Sequence, residues 1–200
     1  MIIGQAPLYK FLWFCNRQNL KKEILDCGAG GNYPPLSLFA KEGYTTRGIE
    51  FDKDQLYKAQ EFANKQGQNL NIELGDMREL PFADECFSYV YSYNAIFHMR
   101  KEDIHKSIKE MKRVLKKDGL MYLNLLSIDD SACGEGTCLG NNEYEQMEDV
   151  PVIHSYYKHN EADYYFDDMD LVYKEIRILE RYYEGEKIRQ GFIDYVFKKV

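Results

Sequence analysis

The stretch Ile24-Leu25-Asp26-Cys27-Gly28-Ala29-Gly30-Gly31-Asn32 decides how the rest of this chain is read. A short apolar run ends in an acid and a glycine-rich turn follows. Pro34-Pro35 then opens an apolar, helix-like segment. This order predicts strand, tight turn, helix. Glycine reaches positive φ at little steric cost and lets the backbone come close to a ligand. Proline is pre-set for a first helical turn, where its missing N–H costs nothing. The N–H groups of such a turn attract an anionic group. The stretch therefore suits a cradle for a nucleotide-like cofactor. It equally suits an ordinary strand-to-helix turn that needs glycines only for geometry.

Working outward, a helix over 34–43 stops at Gly43, and Thr45-Thr46-Arg47-Gly48-Ile49-Glu50 reads as a second strand. Glu50 lies 22 residues beyond Gly28. An acid at about that distance is the expected partner of a ribose diol, because a carboxylate accepts from both hydroxyls at once. Asp52 competes for the role, but its place just before a helix marks it as an N-cap. A helix over 54–66 carries Leu56, Ala59, Phe62 and Ala63 on one face and stops at Gly67. A third strand, 70–75, runs into Gly75-Asp76-Met77, and a fourth, 87–93, ends at Asn94. A helix over 102–117 turns Ile104, Ile108, Met111 and Leu115 inward, halts at Asp118-Gly119, and leads into strand 120–127. Regular strand–helix alternation predicts a doubly wound, mostly parallel α/β sheet with helices on both faces. Ligands bind such sheets beyond the carboxyl ends of the strands. Asp26, Glu50, Asp76 and Asn94 all fall there.

The flanks read differently. Over residues 5–19, Leu8, Phe11, Leu12 and Cys15 have helical spacing. This helix caps the sheet, or closes over a ligand with Tyr9. Residues 128–155 are rich in Asp, Glu, Gly and Asn without clear periodicity, which predicts a long functional or mobile loop. Residues 159–169 read as a short helix. Runs 171–183 and 187–198, joined through Glu184-Gly185-Glu186, carry a hairpin signal. The last run is apolar on most of both faces, so it belongs inside the sheet.

Two hundred residues with 44% hydrophobic and 30% charged residues describe one globular domain over 1–200. No apolar run approaches the ~20 residues of a membrane helix, and the N-terminus lacks signal-peptide features, so the expectation is a cytoplasmic protein away from membranes. Five irregularly spaced cysteines predict free thiols. A net charge of −7 argues against a nucleic-acid partner.

With these residues in place, the chain resembles a class I S-adenosylmethionine-dependent methyltransferase over nearly its whole length. Leu25-Asp26-Cys27-Gly28-Ala29-Gly30 carries the resemblance, with Gly75-Asp76 followed by Leu80-Pro81-Phe82-Ala83-Asp84-Glu85-Cys86-Phe87. Arg113-Val114-Leu115-Lys116-Lys117-Asp118-Gly119-Leu120 adds to it. The closing hairpin matches the family's antiparallel last strands, giving a seven-stranded sheet. The motifs are similar to the branch that methylates small molecules. Asn32 stands where the family has a third glycine, and Ser88 where it commonly has an acid.

The resemblance implies S-adenosylmethionine as cofactor. Asp26 would be among the cofactor-binding residues, with the Gly28-Ala29-Gly30 backbone at the methionine part and Glu50 on the ribose hydroxyls. Phe51 and Met77 would flank adenine, and Asp76 would accept from its amino group. Tyr93 and Asn94 would line the methyl-transfer end. Such transfer is a direct displacement in which the protein supplies position and a dry cavity. A base is needed only where the acceptor must lose a proton, and His98 is the candidate. His154, Tyr156 and Tyr157, within an acceptor-side insertion over 128–165, are candidates for the acceptor pocket, as is Tyr9. No metal is expected, although Asn94 and Asp129-Asp130 lie where some catechol-type relatives hold magnesium. A nicotinamide-dependent dehydrogenase would need glycine where Tyr33 stands. A cofactor-binding regulatory module and a protein methyltransferase remain as alternatives to a small-molecule enzyme.

Overall fold

A computed structural model describes residues 6–200. Five parallel strands form the centre: β1 (Glu23–Cys27), β2 (Thr45–Glu50), β3 (Ile72–Leu74), β4 (Phe87–Ser92) and β5 (Leu115–Ser127). They lie in the order β3-β2-β1-β4-β5. Four helices accompany them: α1 (Ala6–Cys15), α2 (Leu36–Lys41), α3 (Lys53–Lys65) and α4 (Lys101–Val114). Residue 5, where the sequence suggests the cap begins, lies outside the described residues.

The alternation of the sequence thus becomes the doubly wound α/β sheet it implies. At the chain's end, β9 (Met169–Tyr183) and β10 (Glu186–Lys199) form the expected hairpin. β10 inserts antiparallel between β5 and β9. Its buried run Phe192–Phe197 explains why both of its faces are apolar. These two strands bring the principal sheet to the seven foreseen.

The stretch 128–155 departs from the expected loop. It folds as an antiparallel meander, β6 (Thr137–Gly140), β7 (Glu143–Met147) and β8 (Pro151–Tyr157). β8 joins the end of β5 through Leu126↔Tyr156 and Ser127↔Tyr157, so the complete sheet has ten strands. The turn between β6 and β7 is Asn141-Asn142, both at positive φ (52° and 58°), the geometry of a two-residue hairpin turn. The helix expected over 159–169 contracts to a 3-10 turn at Asp163–Phe166.

α4 stops at Val114 rather than 117. Its last carbonyls are taken by the turn just before β4, with Glu85 N–H donating to Arg113 O and Cys86 N–H to Val114 O, each at 2.9 Å. Leu115 is already extended. A Cβ on Gly119 would lie 2.8 Å from both Lys116 O and Ser88 O, so only glycine permits this approach.

Each sheet face has its own core. On one, Leu8, Phe11 and Leu12 of α1 pack against Tyr89 and Tyr91 of β4 and Tyr122 of β5. On the other, Ile104, Ile108 and Met111 of α4 pack against Val90, Ile193 and Tyr195. Fully burying such side chains stabilises by about 1.5–3 kcal/mol each. Among the described residues no helix is long and apolar enough to cross a membrane.

Candidate functional site

A cleft of about 680 Å³ opens beyond the carboxyl ends of β1, β2, β3 and β4, within the size range of small-ligand sites. Its floor is the glycine turn. Gly28 sits at φ +101°, and a Cβ there would lie 2.3 Å from Ala95 Cβ. A Cβ on Gly30 would lie 2.5 Å from Glu50 Oε2 and 2.7 Å from Gln55 Cβ. The glycines therefore serve close approach. Their N–H groups are not a free anion cradle. Gly28 and Ala29 donate to Ile49 O at 2.9 and 3.0 Å, and Gly31 donates to Gln55 O at 2.9 Å. Gly30 donates to Glu50 Oε2 at 2.8 Å.

Glu50 stands at the end of β2 with its carboxylate fixed from two sides. Besides Gly30, Asp52 N–H donates to its Oε1 at 2.9 Å. Two lone-pair directions of the carboxylate stay available to a ligand. Asp52 is the N-cap of α3, accepting from Asp54 and Gln55 N–H at 2.8 and 2.9 Å. Phe51 projects at the rim, 72% exposed.

Across the cleft, Asp76 follows β3. Arg78 grips it, donating Nη2–H to Oδ2 at 2.6 Å and Nε–H to both oxygens at 3.0 and 2.9 Å. The hydrogen bonds of Arg78 hold the Asp76 carboxyl below its ordinary range. Arg78 also reaches Asp103 in the first turn of α4 at 3.1 Å. Sequence reasoning did not single out Arg78 or Asp103. The basic residue two places after Asp76 was the signal.

The β4–α4 connection forms the third wall. Asn94 has φ 53° and is held by Asn124 of β5: Asn94 N–H donates to Asn124 Oδ1 at 2.8 Å, and Asn124 Nδ2–H donates to Asn94 Oδ1 at 2.7 Å. His98 lines the cleft with its ring 4.7 Å from that of His154 in an edge-on arrangement. His98 as a whole residue is exposed, while its ring lies between the cleft walls and His154. Crowding by the walls, then the neighbouring His154, pushes its imidazole down to about 4. It is therefore a neutral acceptor at neutral pH. His154 is buried, also lowered by burial, and its Nε2 lies 3.4 Å from Glu148 Oε1.

The meander closes this wall with Glu148, Val152 and Ile153. It is anchored to the β4–α4 connection by Ser155, whose N–H donates to Phe97 O at 3.0 Å and whose hydroxyl donates to Met99 O at 2.6 Å. Glu143 adds a third tie, accepting from Lys101 N–H at 2.6 Å and pairing with Arg100 at 3.1 Å.

The cleft thus brings together Gly28, Gly30, Glu50, Phe51, Asp76, Met77, Asn94 and His98. Other candidates lie elsewhere. Asp26 is fully buried beneath the turn, where Tyr91 Oη–H donates to its Oδ2 at 2.7 Å while Oδ1 has no partner among the described residues. Burial pushes its carboxyl up to about 8. Ala29 is buried under Gly48. Tyr93 and Asn94 border a second cavity of about 720 Å³ between α1, β9 and β10. Tyr9 is half-buried on α1 and lines neither cavity. Tyr156 packs in a core cluster with Phe97, Leu126 and Phe192, and Tyr157 in the α4-side core. Asp129 is engaged by His159 at 2.5 Å, and Asp130 accepts from Ala132 and Gly191 N–H, each at 2.9 Å.

The sequence model of the methyltransferase-domain family matches residues 25–123. Methyltransferase GfsG of Streptomyces halstedii is 29% identical over 124 residues, covering 58% of this chain and 44% of that protein. The ubiquinone/menaquinone biosynthesis C-methyltransferase UbiE of Rickettsia massiliae is 32% identical over 127 residues, 60% of this chain and 50% of that one. The chain spans about half the length of the curated relatives it matches. Among solved structures, the PH0226 protein of Pyrococcus horikoshii superposes with TM-score 0.76 at 17% identity, over 100% of this chain and 89% of that one. A SAM-dependent methyltransferase of Methanosarcina mazei gives 0.75 at 20%, over 94% and 97%. Those likenesses establish the fold. Residues 25–123 match the methyltransferase-domain family, and the described chain has the fold of a class I S-adenosylmethionine-dependent methyltransferase.

Proposed function

We propose that the 680 Å³ cleft binds S-adenosylmethionine and that the protein transfers its methyl group to a small-molecule acceptor. The observation that carries this reading is Glu50. Its carboxylate is oriented by Gly30 and Asp52 N–H groups at 2.8 and 2.9 Å, with lone pairs left for two ribose hydroxyls. The residues fit the group. Gly28 and Gly30, packed too close to Ala95 and Glu50 for a Cβ, keep the turn tight against the cleft floor, and Phe51 and Met77 offer apolar surface for a purine.

When bound, S-adenosylmethionine supplies a methyl group on a positively charged sulfur, already activated for displacement. The chain's residues supply placement. Glu50 would hold the ribose, Asp76, its carboxylate engaged by Arg78, would lie at the adenine edge, and the Gly28–Gly30 backbone would lie along the methionine part. Asp26 supports the turn from beneath. Asn94, locked to Asn124, marks the methyl-transfer end, with Tyr93 beside it. The acceptor occupies the part of the cleft bounded by His98, Met99, Val152 and Ile153. His98, neutral at physiological pH, takes a proton from an acceptor hydroxyl or amine where the acceptor must lose one.

The relative UbiE, named for ubiquinone/menaquinone biosynthesis, supports a small acceptor. The test is release of S-adenosylhomocysteine from S-adenosylmethionine over a panel of phenols, quinols and amines. Turnover with at least one, lost in Glu50→Ala, is expected. Turnover only with protein substrates would overturn the small-molecule reading.

A further inference from the structure

Five carboxylates and two guanidiniums line the cleft. Both guanidiniums are already engaged. Arg78 pairs with Asp76 and Asp103 at 2.6 and 3.1 Å, and Arg100 pairs with Glu143 at 3.1 Å. Glu50 and Asp52 accept from backbone N–H groups and meet no cation among the described residues. The cleft therefore carries an excess of negative charge, and low-dielectric walls strengthen its field.

Glu148 lies in the turn between β7 and β8, on the wall where the acceptor is placed. Among the described residues no Lys or Arg pairs with it, and its nearest charged-type neighbour is His154, with Nε2 3.4 Å from Oε1. His154 is 7% exposed, and its Nδ1 has no partner among the described residues. Burial lowers its imidazole, so the ring is neutral at neutral pH and leaves the Glu148 charge unbalanced. The Glu148 side chain is 58% exposed, so an entering ligand reaches it. Beside it, Met99, Val152 and Ile153 give half-buried apolar surface. His98 adds a neutral ring edge-on to His154. An apolar body ending in a basic nitrogen finds a partner for each of its parts here. A carboxylate or phosphate would face an acid with no free cation to hold it.

We propose that the methyl acceptor is an amine with an apolar body, its nitrogen drawn into the cleft by Glu148. This rests on the reading of the cleft as an S-adenosylmethionine site. The amine reacts as its free base and loses no proton in the step. Its lone pair forms the N–C bond, the C–S bond breaks with its pair passing to sulfur, and the positive charge moves from sulfur to nitrogen. Glu148 is the carboxylate on the acceptor's side, and a carboxylate placed there stabilises the charge that develops on nitrogen. His98, a neutral acceptor, takes a hydrogen bond from the amine N–H and so orients the lone pair. A hydroxyl acceptor develops no lasting positive charge and gains nothing from Glu148.

Calorimetric titration of the full chain, saturated with S-adenosylhomocysteine, tests this. Phenethylamine, phenethyl alcohol and hydrocinnamate serve as cationic, neutral and anionic probes on one apolar body. Phenethylamine is expected to bind about fivefold tighter than the alcohol, and hydrocinnamate more weakly than either. Glu148→Gln is expected to bring the amine to the alcohol's affinity, and Glu148→Lys to place hydrocinnamate ahead of the amine. Retained S-adenosylhomocysteine affinity in both variants shows that they are folded. A wild type that binds the three probes alike, or a Glu148→Gln variant that keeps the amine's advantage, overturns the amine acceptor and leaves the cofactor reading standing. A wild type that binds no S-adenosylhomocysteine overturns both.

Discussion

The N–H of Gly30 donates to Oε2 of Glu50 at 2.8 Å, tying the turn after β1 to the end of β2. This contact joins the two features that define the cofactor cleft. A methyl group at residue 30 would stand 2.5 Å from that same oxygen. Gly30→Ala is therefore expected to displace Glu50 and weaken S-adenosylhomocysteine binding at least tenfold, about 1.4 kcal/mol. The far-ultraviolet circular dichroism should be retained. Binding unchanged in this variant would show that the contact has no part in the site.

His98 predicts a stability slope. Its imidazole is lowered to about 4 from an ordinary 6.5, so between those values the unfolded chain binds more protons than the folded one. Stability therefore rises with pH through that window and is lost as acid enters it. His98→Gln should flatten the dependence of denaturation midpoint on pH between 4 and 6.5. If His98 is the base, the same variant should slow transfer to a hydroxyl acceptor by about 10²-fold or more.

Asp26 gives the opposite sign. Burial raises its carboxyl to about 8, so the folded state holds a proton that the unfolded state has released above about 4. Stability from this group falls as pH rises from about 4 to 8. Asp26→Asn, which stays neutral and keeps an acceptor for Tyr91, should melt higher than wild type at pH 9 and differ less at pH 5. Calorimetric melts at the two pH values measure it.

Glu143 anchors the meander to the start of α4 and is 6% exposed. Glu143→Ala removes the acceptor of Lys101 N–H and the partner of Arg100. A loss of about 1–3 kcal/mol is expected, with faster amide exchange over residues 137–157. Exchange unchanged there would mean that Ser155 and the β5–β8 pairing hold the meander without Glu143.

The central fold was legible because β1 to β5 and their helices alternate, and the glycine, acid and strand-end signals recur at each crossing. Asp52 capping α3 and β10 lying inside the sheet follow from local chemistry alone. The meander was not legible, because its strands are short and their exposed faces are acidic, which masks alternation. Its one clear sign was Asn141-Asn142, a turn pair. The packing of Tyr156 and Tyr157 was hidden for another reason: a tyrosine's sequence neighbours do not say whether its ring meets a core or a cleft. Arg78 gripping Asp76 required the third dimension, since Asp103 completes the arrangement from α4.

The central claim is that this cleft takes S-adenosylmethionine through Glu50. Isothermal titration with S-adenosylhomocysteine, on wild type and on Glu50→Ala, tests it most directly. Micromolar binding near −8 kcal/mol is predicted for wild type, weakened at least tenfold in the variant. No binding to wild type, with a nicotinamide dinucleotide bound instead, would contradict it.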